Sequence, residues 1–323
     1  MRVRSRLAQA AVVAALALLA AACGGSDEDG GEASADDLVA SVASYDLAVG
    51  PPTRVIVGVQ TVDRRFVAFG TVQFRVAYLG TEQDAAPGEF AAPVPARFLP
   101  LPGTVPPTPV PAEPVLVSGS EARGVYAALV AFPRAGYYQV EVTAKVEGED
   151  RVATAAMAVN DRHAVPAVGD RALPTENFTV DTPPSEAPPA AIDSRATDGR
   201  IPDPTLHQTT VAAAMAAGRP AVLVISTPVY CQSQFCGPVT DMVEDLAARY
   251  ADRASFVHIE LWRDFQGRVI NRHAAEWLDD NYNEPWVFLI GGDGIIKARF
   301  DNVATQEELE PLLQQLPVLG PAA

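Results

Sequence analysis

The chain has 323 residues, enough for two ordinary domains. Hydrophobic residues make up 48% and charged residues 20%, a balance that excludes a largely disordered chain. The formal charge of −16 excludes a nucleic acid held through its phosphates, and three cysteines exclude both a disulfide-built scaffold and a four-thiolate zinc site.

Arg2, Arg4 and Arg6 precede an apolar run over residues 7–22, interrupted only by Gln9. At about 16 residues the run is short for a bilayer-spanning helix of roughly 20, so residues 1–22 read as a signal peptide for export. The run ends Leu19-Ala20-Ala21-Ala22-Cys23. Small residues directly before a cysteine resemble the bacterial lipobox. The resemblance implies cleavage before Cys23, lipidation of its thiol, and a lipoprotein held on the extracytoplasmic face of the cell membrane. Export places the other thiols in an oxidising compartment. Residues 23–45, rich at first in Gly, Ser, Ala and acid, are expected to form a flexible tether.

Residues 46–160 carry period-two patterns. Val55, Val57 and Val59 alternate, as do Val72, Phe74, Val76 and Tyr78, and later Tyr138, Val140, Val142, Ala144 and Val146. Several half-buried strands without a helical pattern predict an antiparallel β-sandwich. The segment Gly136-Tyr137-Tyr138-x-Val-x-Val resembles late strands of immunoglobulin-like domains. An insert over residues 87–114 holds ten prolines and is expected to be extended and at the surface. No cysteine and no histidine lies between Asp46 and Asn160, so this part reads as a structural or docking module. The proline-rich residues 161–205 read as a linker, or as a strap lying on a neighbouring domain.

From Leu206 the signals alternate between helix and strand. An Ala-rich helix ends at Gly218 and leads to the apolar strand Ala221-Val222-Leu223-Val224-Ile225. The cysteines follow, then a helix with Val239, Met242, Val243, Leu246 and Tyr250 on one face. A strand over residues 255–261 precedes a helix carrying Ile270, His273, Ala274, Trp277 and Leu278. Strand 286–290 turns through Gly291-Gly292-Asp293-Gly294 into strand 295–300, and Thr305-x-x-Glu308 is a capping box opening the last helix.

That order, over residues 206–317, resembles the thioredoxin superfamily. A cysteine leads into a helix straight after an apolar strand, Glu284-Pro285 stands just before the third strand, and a Gly-rich hairpin and amphipathic helix close the unit. The resemblance implies an α/β fold with a mixed sheet, a cis Pro285 facing the thiols, and thiol–disulfide chemistry. The expected architecture is therefore two domains, an N-terminal immunoglobulin-like β-sandwich and a C-terminal thioredoxin-like fold.

The thiol motif is Tyr230-Cys231-Gln232-Ser233-Gln234-Phe235-Cys236-Gly237-Pro238, with four residues between the cysteines where the family has two. Phe235-Cys236-Gly237-Pro238 looks like the family's aromatic-Cys-Gly-Pro. Read from the strand instead, Tyr230-Cys231 stands at the nucleophile's position with Cys236 resolving, a spacing that resembles atypical two-cysteine peroxiredoxins. Leu223 stands where peroxiredoxins have proline, and the family's buried strand carboxylate is replaced by Ile225 or Tyr230. A helix N-terminus lowers a thiol pKa through its unpaired N–H groups. Either Cys231 caps a helix that contains Cys236, in which case their disulfide is strained, or Gly237-Pro238 opens the helix and Cys236 caps it.

The expected activity is thiol–disulfide exchange on a protein or small-thiol substrate, with Cys231 attacking, Cys236 resolving, and Tyr230, Glu284, Pro285 and Trp286 contacting substrate. The backbone beside Pro285 is expected to hold the substrate as an added strand. No cofactor and no metal are required. Alternatives are a thiol peroxidase, a copper chaperone using both thiolates, and a binding module with a permanent disulfide. His258 and His273 read as packing residues.

Overall fold

The fold is taken from a computed structural model that describes residues 34–118, 123–196, 198–231, 233 and 235–319. The signal peptide and Cys23 lie outside these residues. Nine strands come first: β1 (Leu38–Val42), β2 (Thr53–Thr61), β3 (Phe66–Ala68), β4 (Thr71–Gly80), β5 (Val94–Pro100), β6 (Val115–Val117), β7 (Gly124–Val130), β8 (Gly136–Val146) and β9 (Glu149–Val159). They form one antiparallel sheet in the order β6-β3-β2-β7-β5-β4-β8-β9, with β1 also paired to β2. The sheet curls until β1 lies alongside β9. Val55, Val57, Val59, Val72, Phe74, Val140 and Val142 fill its interior, the faces expected from their alternation.

Two expectations for this half are corrected. Residues 38–42 of the expected tether are strand β1, because Leu38, Ala40 and Val42 add apolar contacts to the open side of β2. Residues 94–100 of the expected surface insert are strand β5, placed between β4 and β7. Pro95 is tolerated because β7 pairs with β5 only from Arg97 onward, which leaves the other edge at Pro95 without a ladder to break.

Residues 161–205 are a strap rather than a free linker. Val165, Ala172, Phe178, Ala187, Ala191 and Ile192 are buried along it, and Gly169 and Asp170 exchange backbone hydrogen bonds with Ile296.

The C-terminal elements are α1 (Val211–Ala216), β10 (Ala221–Ser226), α2 (Cys236–Tyr250), β11 (Ser255–Glu260), β12 (Trp262–Asp264), β13 (Val269–Ile270), α3 (Arg272–Ala275), β14 (Trp286–Ile290), β15 (Ile296–Asp301) and α4 (Gln306–Gln314). A mixed sheet runs β11-β10-β14-β15, with β10 and β11 parallel and β14 and β15 antiparallel, while β12 and β13 form a separate hairpin. Every residue of β10 is buried because both faces are covered. Val222 and Val224 meet α2 and α4, whereas Ala221, Leu223 and Ile225 meet α1, α3 and the strap. Gly294, at φ +75°, makes the tight turn between β14 and β15. The helix expected around His273 is only the four residues of α3, because the chain from β13 into it is held by Asn271, which caps His273 N–H and donates to the Glu260 carbonyl.

The two sheets are packed against each other. Ile56, on the outer face of β2, is fully buried with Leu99, Val125, Ala127 and Val303, and Phe235 packs on the same cluster. Arg54 donates to Glu308 at 2.8 and 3.0 Å and to the Val303 carbonyl at 2.7 Å. Arg299 reaches back to the Asp46 carboxylate at 2.9 Å. No helix among the described residues is long and apolar enough to cross a membrane.

Candidate thiol site

Cys231 and Cys236 are joined as a disulfide, with their Cα atoms 5.9 Å apart. Helix α2 begins at Cys236, with Phe235 at the cap position and no side chain capping it. Gly237 and Pro238 therefore lie in the first turn, where a missing N–H does no harm, and Cys231 stands ahead of the helix, outside the cap position held by Phe235. The ground for expecting a strained bond, one helix containing both cysteines, is absent.

The two sulfurs differ in surroundings. Cys236 is buried, while Cys231 is partly exposed. Cys231 Sγ accepts the backbone N–H of Cys236 at 3.4 Å and lies 3.3 Å from Ser233 Oγ. The sulfur thus takes the place of a capping side chain at the positive end of α2.

The Glu284–Pro285 peptide is cis, as expected. A Glu284 carboxylate oxygen and both sulfurs lie within 4.8 Å of one another. Burial pushes the Glu284 carboxyl up to about 9, helped by the nearby Glu260, and the Thr227 N–H only partly offsets this. Burial likewise pushes Glu260 up to about 7, although it accepts the N–H groups of Ser194 and Trp262 at 2.9 and 3.2 Å. Glu284 therefore carries its proton at neutral pH, beside the disulfide. A half-buried carboxyl group beside the thiols is present, supplied from the loop before β14 and not from β10.

Two expected contacts are corrected. Trp286 is 2% exposed, its ring stacked on Phe288 and covered by Tyr45, so it is a core residue that a substrate does not reach. The carbonyls of Glu284 and Pro285 already accept hydrogen bonds, from Tyr45 Oη at 2.9 Å and Asn302 N–H at 2.8 Å, and Pro285 is buried. Those two carbonyls are therefore already engaged within the fold. Tyr230 remains available at the surface, stacked on Phe265 with ring centroids 3.9 Å apart, next to the exposed Val229. Tyr45 is the residue the sequence reading missed. It comes from the N-terminal half, 239 positions from Glu284, and nothing in its local sequence marks it.

A cleft of about 1080 Å³ lies between the two sheets, bordered by Arg54, Arg97, His163, Lys297, Arg299 and Glu308. Neither cysteine nor Glu284 lines it. No protein-family model matches the chain, and no curated protein matches it in sequence.

Proposed function

We propose that the protein is a thiol–disulfide oxidoreductase that exchanges Cys231–Cys236 with a protein or small-thiol substrate. The observation that carries this reading is a disulfide at a helix N-terminus with a protonated carboxyl group within 4.8 Å of both sulfurs. The sequence β10-α2-β11, followed by the β14-β15 hairpin and α4, supports a thioredoxin-like reading of this half, with the curled antiparallel sheet read as an immunoglobulin-like partner that contributes Tyr45.

In the direction that reduces the protein, a substrate thiolate attacks the partly exposed Cys231 sulfur. The Cys231–Cys236 bond breaks, and the leaving Cys236 thiolate takes the proton held by Glu284. The Glu284 carboxylate then accepts the proton of the second substrate thiol, which attacks the mixed disulfide. The substrate leaves as a disulfide, and Cys231 leaves as a thiolate stabilised by the Cys236 N–H. Run in reverse, the same steps reduce a substrate disulfide, with Cys231 attacking. Val229 and the Tyr230–Phe265 pair form the apolar rim for a protein substrate.

Equilibration with glutathione redox buffers tests this. A potential above about −300 mV is expected, and a lower one makes the bond a permanent staple. The lipoprotein reading of Cys23 is part of the proposal. Cys23→Ala is expected to release the protein from membranes or block its processing, checked by fractionation.

A further inference from the structure

A second polar cluster lies beneath the thiol loop. Asp193 of the strap, His207 of the short 3-10 turn over residues 204–207, and His258 of β11 are all buried, each no more than 1% exposed. Asp193 Oδ2 is 3.4 Å from His207 Nε2 and 4.0 Å from His258 Nδ1, and one donor atom of each residue lies within 4.8 Å of those of the other two.

The hydrogen-bond network fixes the state of His258. Thr240 spends its hydroxyl proton on the Cys236 carbonyl at 2.7 Å, so it accepts the Ser226 hydroxyl proton at 2.7 Å. Ser226 Oγ and the Ser226 carbonyl, each 3.1 Å from His258 Nε2, are then both acceptors toward that nitrogen. The proton of neutral His258 therefore sits on Nε2, and Nδ1 presents a lone pair toward a carboxylate oxygen. Nδ1 has no hydrogen-bond partner among the described residues, and neither does Nδ1 of His207. Asp193 Oδ2 already accepts from Arg195 at 2.8 and 3.2 Å, so the orphan aimed into the cluster is His258 Nδ1, a buried lone pair with no donor.

We propose that Asp193 Oδ2, His207 Nε2 and His258 Nδ1 form a site for a borderline divalent transition cation of the zinc class. The donors are those such ions prefer, imidazole nitrogen and carboxylate oxygen. Donors about 2.0–2.2 Å from a tetrahedral ion stand roughly 3.4 Å apart, so the His207–Asp193 pair already fits, and closing the others takes a shift of about an ångström. Supporting bonds hold two of the three donors: His258 Nε2–H donates to Ser226, and Arg195 grips Asp193 at 2.8–3.2 Å, whereas His207 Nδ1 has no partner among the described residues. Asp241 and Glu244 lie 3.0 and 3.5 Å from Arg195 Nη1, which leaves the surroundings of the site with an excess of acid over base.

Because the cluster is buried, the test loads the metal during folding. The full chain carrying Cys23→Ser, Cys231→Ser and Cys236→Ser, which removes the thiolates as competitors, is refolded with Zn²⁺ alone, dialysed and assayed for metal. Retention of about one equivalent is expected, falling by roughly tenfold or more in His258→Gln. No retention, or the same retention in His258→Gln, overturns the proposal. Should His258→Gln fail to fold, Co²⁺ replaces Zn²⁺ in the protein that retains its histidines. Ligand-field bands of nitrogen and oxygen coordination support the site, and their absence removes it. These readouts are independent of the redox reading, since all three cysteines are gone.

Discussion

Glu284 is a source of pH-dependent stability and, in the proposed exchange, the proton carrier for the sulfurs. Its folded pKa, about 9, lies above the ordinary glutamate value of 4.5, so the folded state holds a proton that the unfolded state has lost. Stability from this group is complete below about pH 4.5 and declines as the pH rises toward 9, by at most about 1.4 kcal/mol per pH unit. Glu284→Gln removes the ionisation, so its urea midpoint is expected to change less between pH 6 and pH 8.5 than that of the wild type. The same variant is expected to slow exchange by roughly ten- to a hundredfold, the scale of positioned acid–base help, with Cys231–Cys236 still formed. Unchanged exchange kinetics in a folded Glu284→Gln protein removes the proton-carrier role. The cysteines are also distinguishable one residue at a time. Alkylation of the reduced protein at mildly acidic pH is expected to label Cys231 first, since Cys236 is buried and the α2 N–H group points at Cys231. First labelling of Cys236 reverses the roles.

Among the elements, α2 and α4 contrast in how they begin. Helix α4 has the Thr305 side-chain cap expected from its sequence but not the reciprocal bond of a full capping box: Thr305 Oγ1 accepts the Glu308 N–H at 3.3 Å, and Glu308 Oε2 accepts the Thr305 hydroxyl at 3.1 Å. Thr305→Ala is expected to lower stability by about 1 kcal/mol, measured by urea unfolding. An unchanged midpoint means that Arg54 alone holds Glu308 in place. Helix α2 has no side-chain cap, and its first N–H group is given to a sulfur. In the proposed exchange the orphan donors of α2 are thus left for a thiolate.

Across the whole molecule, the two sheets share buried charge as well as buried surface. Arg54 of β2 lies against Glu308 of α4 and Asp301 of β15, with side-chain exposures of 13%, 7% and 9%. Breaking a buried pair from one side strands the partner, so Arg54→Met is expected to cost roughly 3 kcal/mol or more. The two halves are expected to unfold together, in one transition seen by both tryptophan fluorescence and circular dichroism. A separate early transition of either sheet in the wild type contradicts this coupling. Tyr45 extends the same packing to the thiol site through Glu284 and Trp286.

Period-two alternation placed Val140, Val142 and Ala144 of β8 in the core, and the apolar run at residues 221–225 marked β10 as buried on both faces. The thioredoxin-like resemblance gave the cis Pro285 position and the Cys231–Cys236 pair, and local chemistry gave the cap at Thr305. These are short-range properties, written in residues adjacent or one turn apart. Tertiary structure alone decided that Trp286 is covered by Tyr45, that β5 runs through a proline-rich segment, and that Glu284 stands beside both sulfurs. It also gathered Asp193, His207 and His258 from three elements. Which polar groups lose water, and which meet, depends on the packing of segments far apart in the chain, and no local pattern of residues encodes that.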